Sequence, residues 1–314
     1  MKENPLKNTA ASVRDRLYNV AQREKHDFNL ILTAFATERL LYRLSRSEYA
    51  STFVLKGARL FALWAHKPHR PTRDLDLLGF GDPSPEALRQ AFESICRVHV
   101  EPDGLIFDDT AMTIEEIRSE QEYNGQRIKL TARLAQARIP LQIDVGFGDV
   151  VTPEAQILDY TPLLDSLPAP RIRAYPRETV IAEKLQAIVA LDTLNTRMKD
   201  FYDISALAND FDFDGQTLCE AIRATFHRRK TPIPSELPTC LQDSFAKDED
   251  RKRLWNGFLK RSAIEESASE DFASILAKVR DFLGPPLLAA ARDEAIFAST
   301  WSAGRSWQTK GLSG

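Results

Sequence analysis

Asp74 and Asp76 stand two residues apart in Arg70-Pro71-Thr72-Arg73-Asp74-Leu75-Asp76-Leu77-Leu78. In a strand, residues i and i+2 share a face, so both carboxylates project together while Leu75 and Leu77 turn into a core. Two carboxylates side by side repel unless a cation lies between them. Oxygen-only ligands suit Mg²⁺, which binds through one or two carboxylates plus substrate phosphates. Arg70 and Arg73 beside them suit a polyphosphate. A lone DxD is common in turns and on solvated surfaces, so its meaning depends on the elements that hold it.

Upstream, Phe53-Val54-Leu55-Lys56-Gly57 reads as a short apolar strand stopped by a glycine, and Ala58 to Trp64 as a helix. A strand, a glycine and a helix start gather backbone N–H groups and a positive dipole end, which is a phosphate cradle. The alternative is an ordinary turn glycine. Lys67-Pro68-His69-Arg70-Pro71 ends that helix. Ser84-Pro85-Glu86 opens another, with a cap and a proline at the first position.

Downstream, Ala111 to Ile117 reads as a strand, and Tyr123-Asn124-Gly125-Gln126 as an Asn-Gly hairpin turn. It leads into Arg127 to Leu134, where Ile128, Leu130, Ala132 and Leu134 face in and Arg127, Lys129, Thr131 and Arg133 face out. Pro140 to Phe147 is a further strand, with Gln142 and Asp144 on the face opposite Leu141, Ile143 and Val145. Asp144 is then a third metal ligand, a proton acceptor, or a strand-end charge.

Residues 150 to 176 carry five prolines and read as an extended connector. The pattern then turns helical, so the expected division is 1–175 and 176–314. Thr179 to Val189 is an apolar helix with Glu183 and Lys184 embedded in it. A charge there must reach solvent or a partner; a salt bridge with Glu183 or an aspartate is one solution. Asp200 and Asp203 stand three apart and share a helical face. Thr231-Pro232-Ile233-Pro234 and Gly284-Pro285-Pro286 punctuate the remaining helices, the last of which is expected at 287–297. The tail after Ala303 is expected to fray. At the N-terminal end, Thr9 or Ser12 caps a helix through Val13, Leu17, Val20 and Ala21, and Asn29 to Ser45 forms a second. Arg39, Arg43 and Arg46 read as its solvated face, and His227-Arg228-Arg229-Lys230 as a solvated helix end.

A chain of 314 residues, 43% hydrophobic and 28% charged, can bury a sizeable core. Its net charge of −3 does not advertise a nucleic-acid partner, so any such partner must meet a local basic patch. Cys96, Cys219 and Cys240 form no CxxC pair, which fits a reducing cytoplasm rather than a disulfide framework. No apolar run reaches the ~18 residues of a membrane span. The first residues, Met1-Lys2-Glu3-Asn4-Pro5, lack the apolar region of a signal peptide. The histidines show no metal spacing, and neither GxSxG nor a Walker A motif is present.

Taken together, Lys56-Gly57, Arg70-x-Thr72-x-Asp74-Leu75-Asp76-Leu77, Glu178-Thr179-x-x-Ala182-Glu183-Lys184-Leu185 and Arg197-x-Lys199-Asp200-x-Tyr202-Asp203-Ile204 resemble the AbiEii/AbiGii-type nucleotidyltransferase toxins. These include the MenT toxins and belong to the DNA polymerase β-like superfamily. The resemblance spans roughly residues 30 to 210, judged by motif order and spacing. It implies an α/β (α+β) nucleotidyltransferase core with a small mixed sheet, followed by a mainly helical C-terminal region. It implies transfer of a nucleoside monophosphate from an NTP to an acceptor, the tRNA 3′ end foremost, in a toxin–antitoxin or phage-defence setting with a cognate antitoxin encoded nearby. Two Mg²⁺ ions would sit on Asp74, Asp76 and Asp144. Lys184 and Asp200 join them in the active site, and Lys56, Gly57, Ala58, Arg70, Thr72, Arg73, Lys184 and Lys199 line the nucleotide. Two departures stand out: Ala58 replaces the family's usual Gly or Ser, and Thr72 its usual serine. The first motivates a different reading, a nucleotide-sequestering module without transfer activity. A role confined to protein interaction through the C-terminal helices is the third.

Overall fold

The computed structural model describes residues 5–65, 69–70, 72–117, 125–262, 264, 270–292 and 296–309. It forms two compact units, Met1–Gly148 with Gln156–Ala174, and Asp149–Ala155 with Tyr175–Gly314.

The first unit runs α1 (Pro5–Glu24), α2 (Phe28–Ser45), β1 (Phe53–Lys56), α3 (Arg59–Ala65), β2 (Leu75–Gly79), α4 (Pro85–Arg97), β3 (Leu105–Ile117), β4 (Gly125–Leu134), β5 (Ala137–Phe147), β6 (Gln156–Asp159) and β7 (Arg171–Ala174). The strands make one mixed sheet of seven, in the order β3-β4-β5-β2-β1-β7-β6. The β2–β5 and β1–β7 pairs are parallel and the others antiparallel. The sheet is larger than expected. Gln156–Asp159 and Arg171–Ala174, inside the proline-rich stretch read as a connector, return to it as its far edge.

Alternation in β4 follows the sequence: Ile128, Leu130, Ala132 and Leu134 are buried. Pro140 sits within β5 without breaking it. It pairs only with Thr131 of β4, because β2 joins β5 from Ile143 onward. At Pro140 the strand is an edge, and no N–H is needed on its open side. Gly125 and Gln126 already belong to β4; the expected turn at Tyr123-Asn124 lies outside the described residues, as do Lys67, Pro68 and Pro71.

Helix α2 packs on β5 and β7, and α4 on β3. Asp27 caps α2 by accepting from Leu30 N–H at 3.0 Å, and Ser84 caps α4. Helix α1 starts at Pro5, ahead of the expected caps Thr9 and Ser12. Arg39 and Arg43 do not face solvent. Arg43 holds Asp103 with both arms at 2.7 and 3.1 Å, and Arg39 reaches Asp103 at 3.2 Å and the Pro168 carbonyl at 2.7 Å. Glu38, fully buried, accepts from the Leu163 N–H at 2.8 Å. This buried polar knot ties α2 to the loops before β3 and between β6 and β7. Burial pushes the Glu38 carboxyl up to about 7, against the pull of that N–H and of Arg39.

The second unit holds α5 (Arg177–Leu191), α6 (Met198–Asp210), β8 (Phe213–Asp214), α7 (Gly215–Arg228), α8 (Asp243–Lys247), α9 (Glu249–Arg261), α10 (Phe272–Ala291), β9 (Ser299–Trp301) and β10 (Trp307–Thr309). Helix α10 passes through Pro285 and Pro286 rather than stopping there. Pro286 cannot donate to the carbonyl of Phe282; the Trp307 indole N–H does so instead, at 2.8 Å. The same tryptophan corrects the expected frayed tail. β9 and β10 pair as a hairpin, Trp301 is buried with its N–H on the Ala208 carbonyl, and both rings pack on Phe282.

Candidate active site

In the first unit, strand register builds a single row of charge. Lys56 of β1 is the cross-strand partner of Asp76 on β2, Asp76 of Asp144 on β5, and Asp144 of Arg127 on β4. Register partners leave the same face of a sheet, on strands about 4.8 Å apart. The neighbouring row, Leu55, Leu77 and Val145, points the other way and is fully buried. The hydrophobic face thus fixes which side the carboxylates occupy.

Gly57 follows Lys56 with φ of +79°. A Cβ there would stand 2.1 Å from Asp76 Oδ2 and 2.9 Å from Asp76 Cβ. Both the backbone conformation and the closeness of Asp76 therefore require glycine. On β5, the bare Gly146 leaves room for the Lys56 ammonium, whose Nζ would lie 3.4 Å from a Cβ at that position. The Lys56 side chain thus spans β2 and ends over β5.

Asp74 is exposed, one residue ahead of β2. Its placement depends on Arg59 at the start of α3, a residue that no motif singled out. Buried Arg59 donates to the main-chain carbonyls of Asp74 at 3.2 Å and Arg73 at 3.3 Å, and to Thr37 Oγ1 at 3.2 Å. Arg127, read from sequence only as an outward strand residue, grips Asp144 in a fork: Nε to Oδ1 at 2.9 Å and Nη2 to Oδ2 at 2.7 Å. This carboxylate holds the guanidinium's pKa above its ordinary value, with Asp74 and Glu115 adding smaller pulls.

Asp74, Asp76 and Asp144 offer oxygen donors alone, the set that a hard divalent cation takes. Among the described residues no three acidic, histidine or cysteine side chains converge into a metal cage. Mg²⁺ does not need one, since it keeps waters and completes its shell with substrate phosphates. Each Asp144 oxygen receives one N–H from Arg127 and retains lone-pair capacity. The lone pairs left on Asp144 and the register of Asp76 with Asp144 fit such an ion.

Ala58, Arg70 and Thr72 line an adjoining cavity of about 270 Å³ with His26, Leu30 and Tyr160, so these three residues are brought together. Arg73 is exposed.

The remaining expected residues lie in the second unit. Lys184 Nζ, on α5, donates to Asp200 Oδ1 at 2.8 Å and Asp203 Oδ2 at 2.7 Å, both on α6. Arg197 Nε adds a bond to Asp200 Oδ2 at 2.5 Å. Both aspartates are fully buried. Burial disfavours every charge in this cluster; the mutual attraction outweighs it, raising the Lys184 pKa and lowering that of Asp200. Asp203, whose role the sequence left open, thus ties α6 to α5. Lys199 is exposed. Within the basic run His227 to Lys230, Arg229 is structural rather than solvated: it bonds Asp149, Glu183 and Gln186, while Tyr175 Oη donates to Glu183.

A sequence profile described as "Nucleotidyl transferase AbiEii toxin, Type IV TA system" matches residues 39–278. No curated protein matches the chain. Among solved structures, Helicobacter pylori JHP933 aligns at 13% identity and TM-score 0.47, over 85% of this chain and 94% of that one. Another H. pylori protein, described as a candidate nucleotidyltransferase, aligns at 13% identity and TM-score 0.45, over 84% and 95%.

Proposed function

Because the chain belongs to the AbiEii family of nucleotidyltransferase toxins, we propose that it transfers a nucleoside monophosphate from an NTP to the 3′ end of tRNA in a Mg²⁺-dependent reaction that blocks translation. The observation that carries this reading is the Lys56–Asp76–Asp144 row with Gly57 at its edge. Asp74, Asp76 and Asp144 are the residues that would hold Mg²⁺. When bound, the metal neutralises the triphosphate and activates the attacking oxygen.

The chain's own residues do the positioning. Arg59 fixes the main chain of Arg73 and Asp74, so the first carboxylate is aimed from a rigid base. Gly57 and Ala58 bring backbone, without bulky side chains, to the point where phosphates would rest. Lys56, Arg70 and Arg73 supply positive charge for them. Asp144 is the candidate acceptor of the nucleophile's proton. Lys184, Lys199 and Asp200 enter through the family resemblance. What the geometry supports for Lys184 and Asp200 first is the locking of α5 to α6. This reading also expects a cognate antitoxin, and a cytoplasmic setting in which tRNA is available.

The test incubates purified protein with each labelled NTP, Mg²⁺ and total tRNA. Label on tRNA that disappears in Asp76→Asn is the expected result. Absence of transfer with all four NTPs from a folded protein would overturn the proposal. Saturable NTP binding without pyrophosphate release would instead favour a nucleotide-sequestering module.

A further inference from the structure

The charged row does not end at Asp144. Arg127 has an acidic register partner on each side, Asp144 on β5 and Glu115 on β3. It is engaged with Asp144 through both arms, while Glu115 is held by Lys129 Nζ at 2.8 and 2.9 Å. The fork takes one lone-pair site on each Asp144 oxygen and sets a guanidinium beside the place that a cation shared with Asp76 would take, and it covers the carboxylate proposed to accept the nucleophile's proton. Arg127 and Asp144 are partly exposed, with side chains 36% and 20% accessible, so the pair can open without unpacking the core. Glu115 is more than half exposed and one strand away, close enough to receive the guanidinium when it leaves Asp144.

Building on the metal-dependent reading above, we propose that Arg127 is a displaceable counter-ion that competes with a divalent cation for Asp144, with Glu115 as its second resting place. In the metal-free protein, the fork neutralises Asp144 and keeps it from repelling Asp76. When a cation arrives, it takes over that neutralisation, and Arg127 swings across β4 to Glu115. The third carboxylate is thereby opened by loading of the site rather than standing open.

The experiment measures Mn²⁺ binding alone, by electron paramagnetic resonance titration of the nucleotide-free full chain, with circular dichroism to confirm folding. Removing a partly exposed competing ion pair in Arg127→Ala should lower the Kd for Mn²⁺ by roughly two- to fivefold. Arg127→Lys keeps the charge but loses the fork, and should fall between the two. Glu115→Gln should weaken Mn²⁺ binding in the wild-type background and leave it unchanged in Arg127→Ala, because the receiving partner matters only while there is a guanidinium to receive. Equal Kd values in wild type and Arg127→Ala would overturn competition while leaving metal-dependent transfer standing. Arg127→Lys matching the wild type would reduce the effect to net charge, and so would overturn the fork. A Glu115→Gln effect that persists without Arg127 would overturn the second resting place. Absence of saturable Mn²⁺ binding in all variants would overturn this inference, while the metal-dependent reading would still be decided by the NTP transfer assay.

Discussion

Gly57 offers the most direct test of the site, because a single methyl group there meets the chemistry at once. In Gly57→Ala, the new Cβ lies 2.1, 2.8 and 2.9 Å from Asp76 Oδ2, Cγ and Cβ, where ordinary contact begins at 3.4 Å. Rotating the carboxylate away relieves the first two contacts only. The third involves an atom fixed to β2, so β1 and β2 must part where Lys56 pairs with Asp76. The φ of +79° adds about 1–2 kcal/mol for an L side chain, and the overlap about 1–3 kcal/mol more. At roughly 2–4 °C per kcal/mol for a unit of this size, the melting temperature should drop visibly while leaving the protein folded at 20 °C. The activity loss should be larger than the stability loss suggests. Moving Asp76 by over an ångström misplaces a reacting group, which costs on the order of 100-fold in kcat. The assay is pyrophosphate release at saturating NTP and Mg²⁺, alongside a thermal melt. A variant that melts lower yet turns over at the wild-type rate would refute the placement of Asp76 in the chemistry.

Other expectations concern the frame around the site. Lys184→Met leaves Asp200 and Asp203 charged and buried, and should cost about 3–5 kcal/mol in urea unfolding; adding Asp203→Asn should recover part of it, and strictly additive losses would contradict the cluster. Trp307→Phe removes the donor that serves the Phe282 carbonyl at the proline step of α10, with an expected loss of about 1–2 kcal/mol. Glu38 titrates near 7 when folded and near 4.5 when unfolded. Between those values the folded chain holds a proton that the unfolded chain has released, so stability should fall as pH rises from about 4.5 to 7, by up to about 3 kcal/mol. Denaturant unfolding at pH 5 and pH 7.5 should show this slope in the wild type and a flatter one in Glu38→Gln.

Residue pattern and register together explain what was readable in advance. The alternation of Ile128 to Leu134, the i, i+2 spacing of Asp74 and Asp76 and the parity of Asp144 in its strand are local signals, and a sheet with one apolar face sets Asp76 and Asp144 in one row. The same parity could say that Arg127 faces outward but not that Asp144 is its register partner, because register depends on a second strand. Arg39 and Arg43 look solvated in the sequence for a related reason: their partner Asp103 lies some sixty residues away, and a helix pattern cannot show a distant counter-charge. β6 and β7 have four residues each, too few for a periodic signal among prolines. Pro285 and Pro286 are normally stops; the indole of Trp307, over twenty residues further on, serves the Phe282 carbonyl that Pro286 cannot.

The order of strands in the sheet differs from the order in which a ribosome releases them. Asp74, Asp76 and Asp144 all emerge before β7, which covers the outer edge of β1. Until Ala174 has been made, the complete row of carboxylates rides on a sheet whose β1 edge is open to other strands. A product stopped near Gly148 would carry all three carboxylates and lack the strand that keeps β1 from pairing with a neighbour.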